Sequence, residues 1–264
     1  MAGKKLEGKV TIVTGAGSSG PGWGTGKAMS VLFAREGALV ALIDMYEERA
    51  AETLAIIESE GGKAFVIATD LTDPDNCQRA VDETISRYGG VDVLINNVAV
   101  PLSKSILDTT REDFDRVLAT NTSAPFWMSK AVLPSMIERG GGSIVNVTSV
   151  MALRGQGGNG CAAYATSKAA LLGLTTDLTD SFGPRNIRVN TIAPGIIATP
   201  QRDNAVRAGG RDPSTFKLEH KTALLREGDA WDIANAALFL CSPEGAYITG
   251  VLLPVDGGVV ARSH

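Results

Sequence analysis

The sequence predicts an α/β protein: a single domain on one doubly wound sheet of seven mostly parallel strands, with helices on both faces. Three observations carry this. Short apolar runs alternate with helical patterns from residue 9 to residue 258. The runs are apolar almost throughout rather than at every second position, the pattern of parallel strands covered on both sides. No linker, charge block, low-complexity tract or repeat divides the 264 residues, so one domain spans 1–264 although the length would allow two.

The elements follow in order. KVTIVTG (9–15) is a β-branched run, hence a strand. GKAMSVLFARE (26–36) sets Ala28, Val31 and Leu32 at helical spacing. ALVALID (38–44) is a second buried strand. EERAAETLAIIESE (47–60) is an amphipathic helix that stops at Gly61-Gly62. KAFVIATD (63–70) is the third strand, and Asp73-Pro74 opens a helix to about Tyr88. VDVLINN (91–97) is the fourth strand, followed by a long helical stretch at about 111–138. SIVNVTS (143–149) is the fifth strand, 162–182 a helix and IRVNTIAPG (187–195) the sixth strand. Residues 200–225 are polar and irregular, with a Gly209-Gly210 pair, and are expected to form a substrate loop. DAWDIANAALFLCS (229–242) is a helix and ITGVLLPVDGG (248–258) the seventh strand. Right-handed crossovers between parallel strands then place helices on both faces.

Composition excludes several functions. Apolar residues make up 44% and charged residues 20%, an ordinary globular balance. A net charge of −4 argues against a nucleic-acid partner, which needs a concentrated basic face. Cys77, Cys161 and Cys241 are scattered and form no CxxC pair, so neither a zinc site nor a disulfide framework is expected. MAGKKLEGKV lacks a signal core and no run approaches 18 apolar residues; the expectation is a cytoplasmic protein with no membrane partner. The histidines are His220 and His264 alone, which all but excludes Ser-His-Asp triads, HExxH zinc sites and multi-histidine metal centres. No GxSxG elbow occurs, and no metal is expected.

TGAGSSGPGWGTGKA (14–28) packs six glycines between the first strand and the first helix. In a doubly wound sheet that loop is a ligand site. The helix N-terminus suits a phosphate, and glycine lets the backbone turn and approach a pyrophosphate closely. A Walker A reading fails twice: the required first glycine falls on Pro21, and Ala28 stands where a hydroxyl would hold magnesium. Asp44 ends the second strand, about 20 residues on, where a carboxylate accepts hydrogen bonds from ribose hydroxyls and repels a 2′-phosphate. The expected cofactor is therefore NAD. The bland role for Asp44 is an N-cap of the helix at 47–60.

YATSK (164–168) sets Tyr164 and Lys168 four apart on a helix, hence on one face. A phenol titrates near ~10; an adjacent ammonium lowers that and makes a usable general base. Such a spacing alone is common. Here Ser149 accompanies it at the end of the fifth strand, where ligands bind in open α/β sheets.

Taken together, these stretches resemble the short-chain dehydrogenase/reductase family over nearly the whole chain. The matching residues are TGAG (14–17) with GTGKA (24–28), Asp44, DL (70–71), NNVA (96–99), Asn121 in ATNTSAPF, Ser149, Tyr164-x-x-x-Lys168, PGIIAT (194–199) and the late ITGVLLPVDGG. The resemblance implies a Rossmann-type fold and hydride transfer between nicotinamide and a secondary alcohol or its ketone. It implies that Tyr164 exchanges a proton with the substrate oxygen, Ser149 orients that oxygen, and Lys168 lowers the Tyr164 pKa and binds the nicotinamide ribose. Asn121 would hold a water linking Lys168 to solvent. Gly15, Gly24, Thr25 and Gly26 would form the cradle. Asp70 and Leu71 would lie beside adenine, Asn97, Val98 and Ala99 along the adenosine side, and Pro194, Gly195, Ile197 and Thr199 at the nicotinamide end. The family is usually tetrameric or dimeric, so a homo-oligomer is implied, a tetramer first, with the helices at 111–138 and 162–182 between subunits.

Three departures stand out. Eight residues separate Gly15 from Gly24 where the family has three, so five are inserted within SSGPGW. Trp23, in that bulge, either caps the pyrophosphate or plugs the bulge against the protein, the second being the commoner use of an indole. Ala99 replaces a usual glycine, and RGQGGNG (154–160) lengthens the span from Ser149 to Tyr164. Substrate-contact candidates are Val100, Met151, Gln156, Asn159 and Ile196 with the 200–225 loop; Arg202, Arg207 and Arg211 lie nearby in sequence. The mixture favours a small cyclic or aryl-bearing alcohol. The alternatives are a 3-oxoacyl thioester reductase using NADPH, which Asp44 opposes, and a non-catalytic NAD-sensing protein, which the intact Ser-Tyr-Lys set opposes. A halohydrin dehalogenase would carry Arg at Lys168 and lack the cradle.

Overall fold

Each apolar run becomes a strand: β1 (Val10–Thr14), β2 (Leu39–Asp44), β3 (Lys63–Ala68), β4 (Val93–Asn96), β5 (Gly142–Val147), β6 (Ile187–Pro194) and β7 (Leu252–Val255). The computed structural model describes residues 3–155, 160–208, 212–213 and 222–262. The strand order is β3-β2-β1-β4-β5-β6-β7, and every neighbouring pair is parallel. The helices are α1 (Thr25–Arg35), α2 (Glu47–Ser59), α3 (Pro74–Tyr88), α4 (Arg111–Leu118), α5 (Ala124–Glu138), α6 (Ala162–Phe182), α7 (Pro200–Ala208) and α8 (Ala230–Cys241).

Successive strand residues point to opposite faces. Val13, Val40, Leu42, Val93 and Ile95 therefore pack with α1, α2 and α8, while Ile12, Ala41, Ile43 and Leu94 pack with α3, α5 and α6. Asp92, just before β4, ties the layers at the sheet's lower edge. Its carboxylate accepts the Val10 N–H at 2.9 Å and Arg139 Nη2 at 3.0 Å, with Lys9 Nζ at 3.3 Å. The winding reverses between β1 and β4, so the loops leaving their C-terminal ends diverge and open a crevice.

Four expectations change. The single helix expected at 111–138 is α4 and α5 joined by a π-helical turn, Ala119–Ser123, which contains Asn121. The segment 200–225 was expected to be irregular, yet it begins with α7. Only Val206 of that helix is buried, so it has no apolar stripe for periodicity to reveal; its start is fixed by Pro200 in the first turn and by the Thr199 hydroxyl accepting Arg202 N–H at 3.3 Å. β7 covers four residues of the stretch 248–258. Ser149 lies two residues beyond β5 and caps a 3₁₀ turn, Val150–Ala152, by accepting Met151 N–H at 3.2 Å.

Candidate active site

A cavity of about 810 Å³ lies over the C-terminal ends of the strands. It gathers every proposed cofactor residue: Gly15, Gly24, Thr25, Gly26, Asp44, Asp70, Leu71, Asn97, Val98, Ala99, Pro194, Gly195, Ile197 and Thr199. Ser149, Tyr164, Lys168, Val100, Met151 and Ile196 share it. Asn121 does not line it, and Gln156, Asn159, Arg211, His220 and His264 fall outside the described residues.

The first turn of the cradle is Gly15 at φ +63°, a left-handed conformation that favours glycine. A Cβ on Gly26 would sit 1.9 Å from the Gly15 carbonyl oxygen, so α1 can begin this close to β1 only with glycine there. Gly24 is the N-cap of α1 and offers no side chain, and no acidic residue occupies the first turn. The N–H groups of that turn are unclaimed by any side-chain cap, which is what an anionic pyrophosphate requires. Asn97 staples this corner: its Nδ2 donates to the Thr14 and Gly15 carbonyls at 3.0 and 3.1 Å, and its Oδ1 accepts from Thr25 Oγ1 at 2.7 Å. The Asn97 and Thr25 side chains thus shape the cradle by holding each other.

Asp44 is not an N-cap; Tyr46 occupies that position of α2. Its Oδ2 accepts Gly17 N–H at 3.0 Å and its Oδ1 accepts Tyr46 N–H at 3.1 Å. A carboxylate oxygen has two lone pairs, so both oxygens keep acceptor capacity in the cavity. Asp70 forms a local turn, accepting from Thr72 N–H and Oγ1 at 2.9 Å each. Ala99 keeps an ordinary negative φ despite replacing a usual glycine, and its carbonyl accepts from Gln201 Nε2 at 2.7 Å.

The bulge at 19–22 docks on α7. Asn204 Nδ2 donates to the Ser19 carbonyl at 3.0 Å, and Gly20 and Gly22 lie against Pro200. Trp23 turns away from the cavity. Its ring centre is 4.7 Å from that of Trp231 at a 56° tilt, with the Lys27 ammonium 5.5 Å away. Trp23 is therefore placed as a plug between the bulge and α8.

At the other end α6 presents Tyr164 and Lys168 on one face. Lys168 Nζ donates to the Val147 carbonyl at 2.8 Å, and Thr148 Oγ1 donates to the Lys168 carbonyl at 2.6 Å, clamping α6 to the tip of β5. Lys168 is 2% exposed. Burial pushes the Tyr164 phenol up to about 12, with the Ser149 hydroxyl pulling the other way, and pushes the Lys168 amine down to about 7. In the protein by itself, desolvation dominates the phenol, and the Ser149 hydrogen bond is what opposes it.

Asn121 is fully buried in the π turn. Its Oδ1 accepts Val100 N–H at 2.8 Å, and its Nδ2 donates to the Val100 carbonyl and to Ser167 Oγ, both at 3.0 Å. With both amide hydrogens spent, its side chain fixes the cavity wall at Val100.

Several lining residues escaped the sequence reading. Tyr46 and Arg49 border the adenosine end, the guanidinium 3.9 Å from the ring centre, and their position just past β2 was a usable signal. Arg154, Val259 and Arg262 border the opposite end; nothing in their local sequence marks them, since only the tertiary fold brings the C-terminal segment over the cavity.

A doubly wound parallel sheet, a side-chain-free helix N-terminus at its reversal point and a Ser-Tyr-Lys group at the strand tips define a class: a dinucleotide-fold oxidoreductase without a histidine triad. The comparisons give the family. A family model described as enoyl-(acyl carrier protein) reductase matches residues 20–260. A 3-oxoacyl-(acyl-carrier-protein) reductase of Thermotoga maritima is 36% identical over 256 residues, covering 97% of this chain and 99% of the relative. A cyclopentanol dehydrogenase of a Comamonas species is 36% identical over 258 residues, covering 98% and 99%. A solved structure of a 7α-hydroxysteroid dehydrogenase with NADH and 7-oxo glycochenodeoxycholic acid superposes with a TM-score of 0.87 at 36% identity, covering 98% of this chain and 97% of that one. The chain belongs to the short-chain dehydrogenase/reductase family, whose members are nicotinamide-dependent oxidoreductases.

Proposed function

We propose that the protein is an NAD-dependent dehydrogenase that interconverts a secondary alcohol and its ketone, acting on a small cyclic or aryl-bearing substrate. The observation that carries this is one cavity with the Asp44 carboxylate at one end and Ser149, Tyr164 and Lys168 at the other. NADH in the hydroxysteroid dehydrogenase complex and a cyclic alcohol in the name of the Comamonas relative support the same reading.

Bound NAD would supply the hydride acceptor, together with a positive ring that favours a phenolate nearby. Its pyrophosphate would be held by the N–H groups of the α1 first turn and its adenosine ribose by Asp44. Ser149 Oγ accepts Met151 N–H and its hydroxyl faces the Tyr164 phenol, so a bound substrate oxygen would take the Ser149 proton in place of the phenol oxygen. Tyr164 then takes the alcohol proton, or returns it to the ketone. Lys168, whose amine burial brings down to about 7, changes charge at little cost near pH 7 and would follow that transfer. Pro194 and Ile197, at the nicotinamide end, would exclude water beside the reacting carbon. The same reading makes the protein a homotetramer, supported by Phe114 and Phe126, which α4 and α5 leave 37% and 47% exposed.

A second reading is an NADPH-dependent 3-oxoacyl thioester reductase, favoured by the T. maritima relative and by Arg49, a cation at the adenosine end. Asp44 opposes it, since a carboxylate repels a 2′-phosphate. The test is reduced-nicotinamide absorbance with NAD and NADP over cyclic and aryl alcohols and over 3-oxoacyl thioesters. Turnover of a cyclic alcohol with NAD is expected; turnover confined to thioesters and NADPH would install the second reading.

A further inference from the structure

Charge is unevenly placed along the cavity. Its carboxylates, Asp44 and Asp70, stand at the adenosine end. At the substrate end, where Met151, Ile196 and Val206 provide an apolar wall, the charged side chains other than Lys168 are, among the described residues, guanidiniums: Arg154, Arg202 and Arg262. This is unexpected in a protein of net charge −4.

The three differ in their partners. Arg202 is neutralised by Asp203 and Glu227. Arg154 Nη1 donates to the Val259 carbonyl at 2.5 Å. Arg262 has its backbone N–H on the Gly258 carbonyl at 3.1 Å and its Nη1 on the Thr222 carbonyl at 2.9 Å, and among the described residues it meets no carboxylate. A guanidinium carries five N–H donors in a planar fork that matches a carboxylate. Among the described residues one neutral carbonyl is the partner of that fork, which leaves most of it and its charge without a counterpart there. The turn that carries it is rigid: the Asp256 carboxylate accepts Gly258 N–H and Val260 N–H, both at 2.8 Å.

Resting on the dehydrogenase reading above, we propose that the substrate is a hydroxy acid. Its apolar ring lies against Met151, Ile196 and Val206, its hydroxyl meets Ser149 and Tyr164, and its carboxylate is held by Arg262. Arg154 bonds the same turn through the Val259 carbonyl. Arg262 is thus a specificity-determining residue, not a catalytic one.

The test compares hydroxycycloalkane carboxylates with their carboxamides, which have the same shape without the charge. NAD reduction is followed for wild type and Arg262→Gln, with neutral cycloalkanols alongside. In wild type, kcat/KM is expected to favour each acid over its amide by about ten- to a hundredfold, the worth of a charge-assisted hydrogen bond. In Arg262→Gln that ratio is expected to fall to near one. A wild-type ratio near one, a ratio that survives Arg262→Gln, or turnover of cycloalkanols with none of the acids overturns the inference and leaves the dehydrogenase reading standing. Failure of every alcohol, charged or neutral, removes the dehydrogenase reading itself.

Discussion

Desolvation governs the two titrating side chains at the substrate end. A phenol pushed up to about 12 stays protonated through the working range and is ready to donate to a ketone oxygen; alcohol oxidation needs the positive charge that arrives with the cofactor. Tyr164→Phe removes only the hydroxyl. It is expected to lower kcat by about 10²–10⁴-fold while NAD binding, read by fluorescence titration, is retained. Lys168 makes a sharper prediction. Its amine moves from 10.5 to about 7 on folding, so between those values the unfolded chain binds one more proton than the native state. Stability contributed by this site therefore rises with pH across that window. Urea unfolding of wild type and Lys168→Met at pH 7, 8 and 9 should show wild type gaining on the variant by up to about 1.4 kcal/mol per pH unit. Curves that stay parallel would mean that the amine keeps its charge in the fold.

At the scale of elements, the expanded glycine loop is held from both sides. Asn204 and Pro200 of α7 support its outer edge, and Trp23 anchors its base against Trp231 of α8. This loop therefore joins the start of α1 to both α7 and α8. Trp23→Ala leaves a void at the α1–α8 contact and is expected to cost about 2–4 kcal/mol, somewhat below a fully buried tryptophan. The Michaelis constant for NAD should stay within about twofold, because the cost of an indole void falls on packing; a large rise would put the indole over the pyrophosphate instead. The π turn between α4 and α5 has a comparable role. It turns Asn121 onto Val100 and Ser167, joining the wall of the cavity to α6.

For the molecule as a whole, Asp92 couples the sheet to the layer of α3, α5 and α6. Burial pushes its carboxyl up, but the Val10 N–H, the Arg139 guanidinium and Lys9 outweigh that and hold it below the ordinary 3.8. Its contribution is present above that value and is lost as pH falls below it. Asp92→Ala strands Arg139 and the Val10 N–H and should cost about 2–3 kcal/mol at pH 7, with the difference from wild type shrinking below about pH 4 in chemical denaturation. Assembly is tested by light scattering after size exclusion: a mass four times the 27.5 kDa chain is expected, and a monomer would leave Phe114 and Phe126 without the partner proposed for them.

The strand pattern, the class of fold and the Ser149, Tyr164, Lys168 and Asp44 positions were legible in the sequence, because buried parallel strands are near-continuously apolar and ligands gather at their C-terminal tips. Periodicity could not show α7, which buries a single side chain, nor the π turn, which leaves the apolar spacing on either side intact. Only the tertiary structure decided which way Trp23 points, which side chains shape the cradle by binding one another, and that Arg154 and Arg262 face the cavity. Those outcomes depend on contacts between residues far apart in the chain, 105 positions for Arg154 and Val259. The protonation of Tyr164 and Lys168 belongs with them, since burial is set by everything that packs around a group and not by its neighbours in sequence.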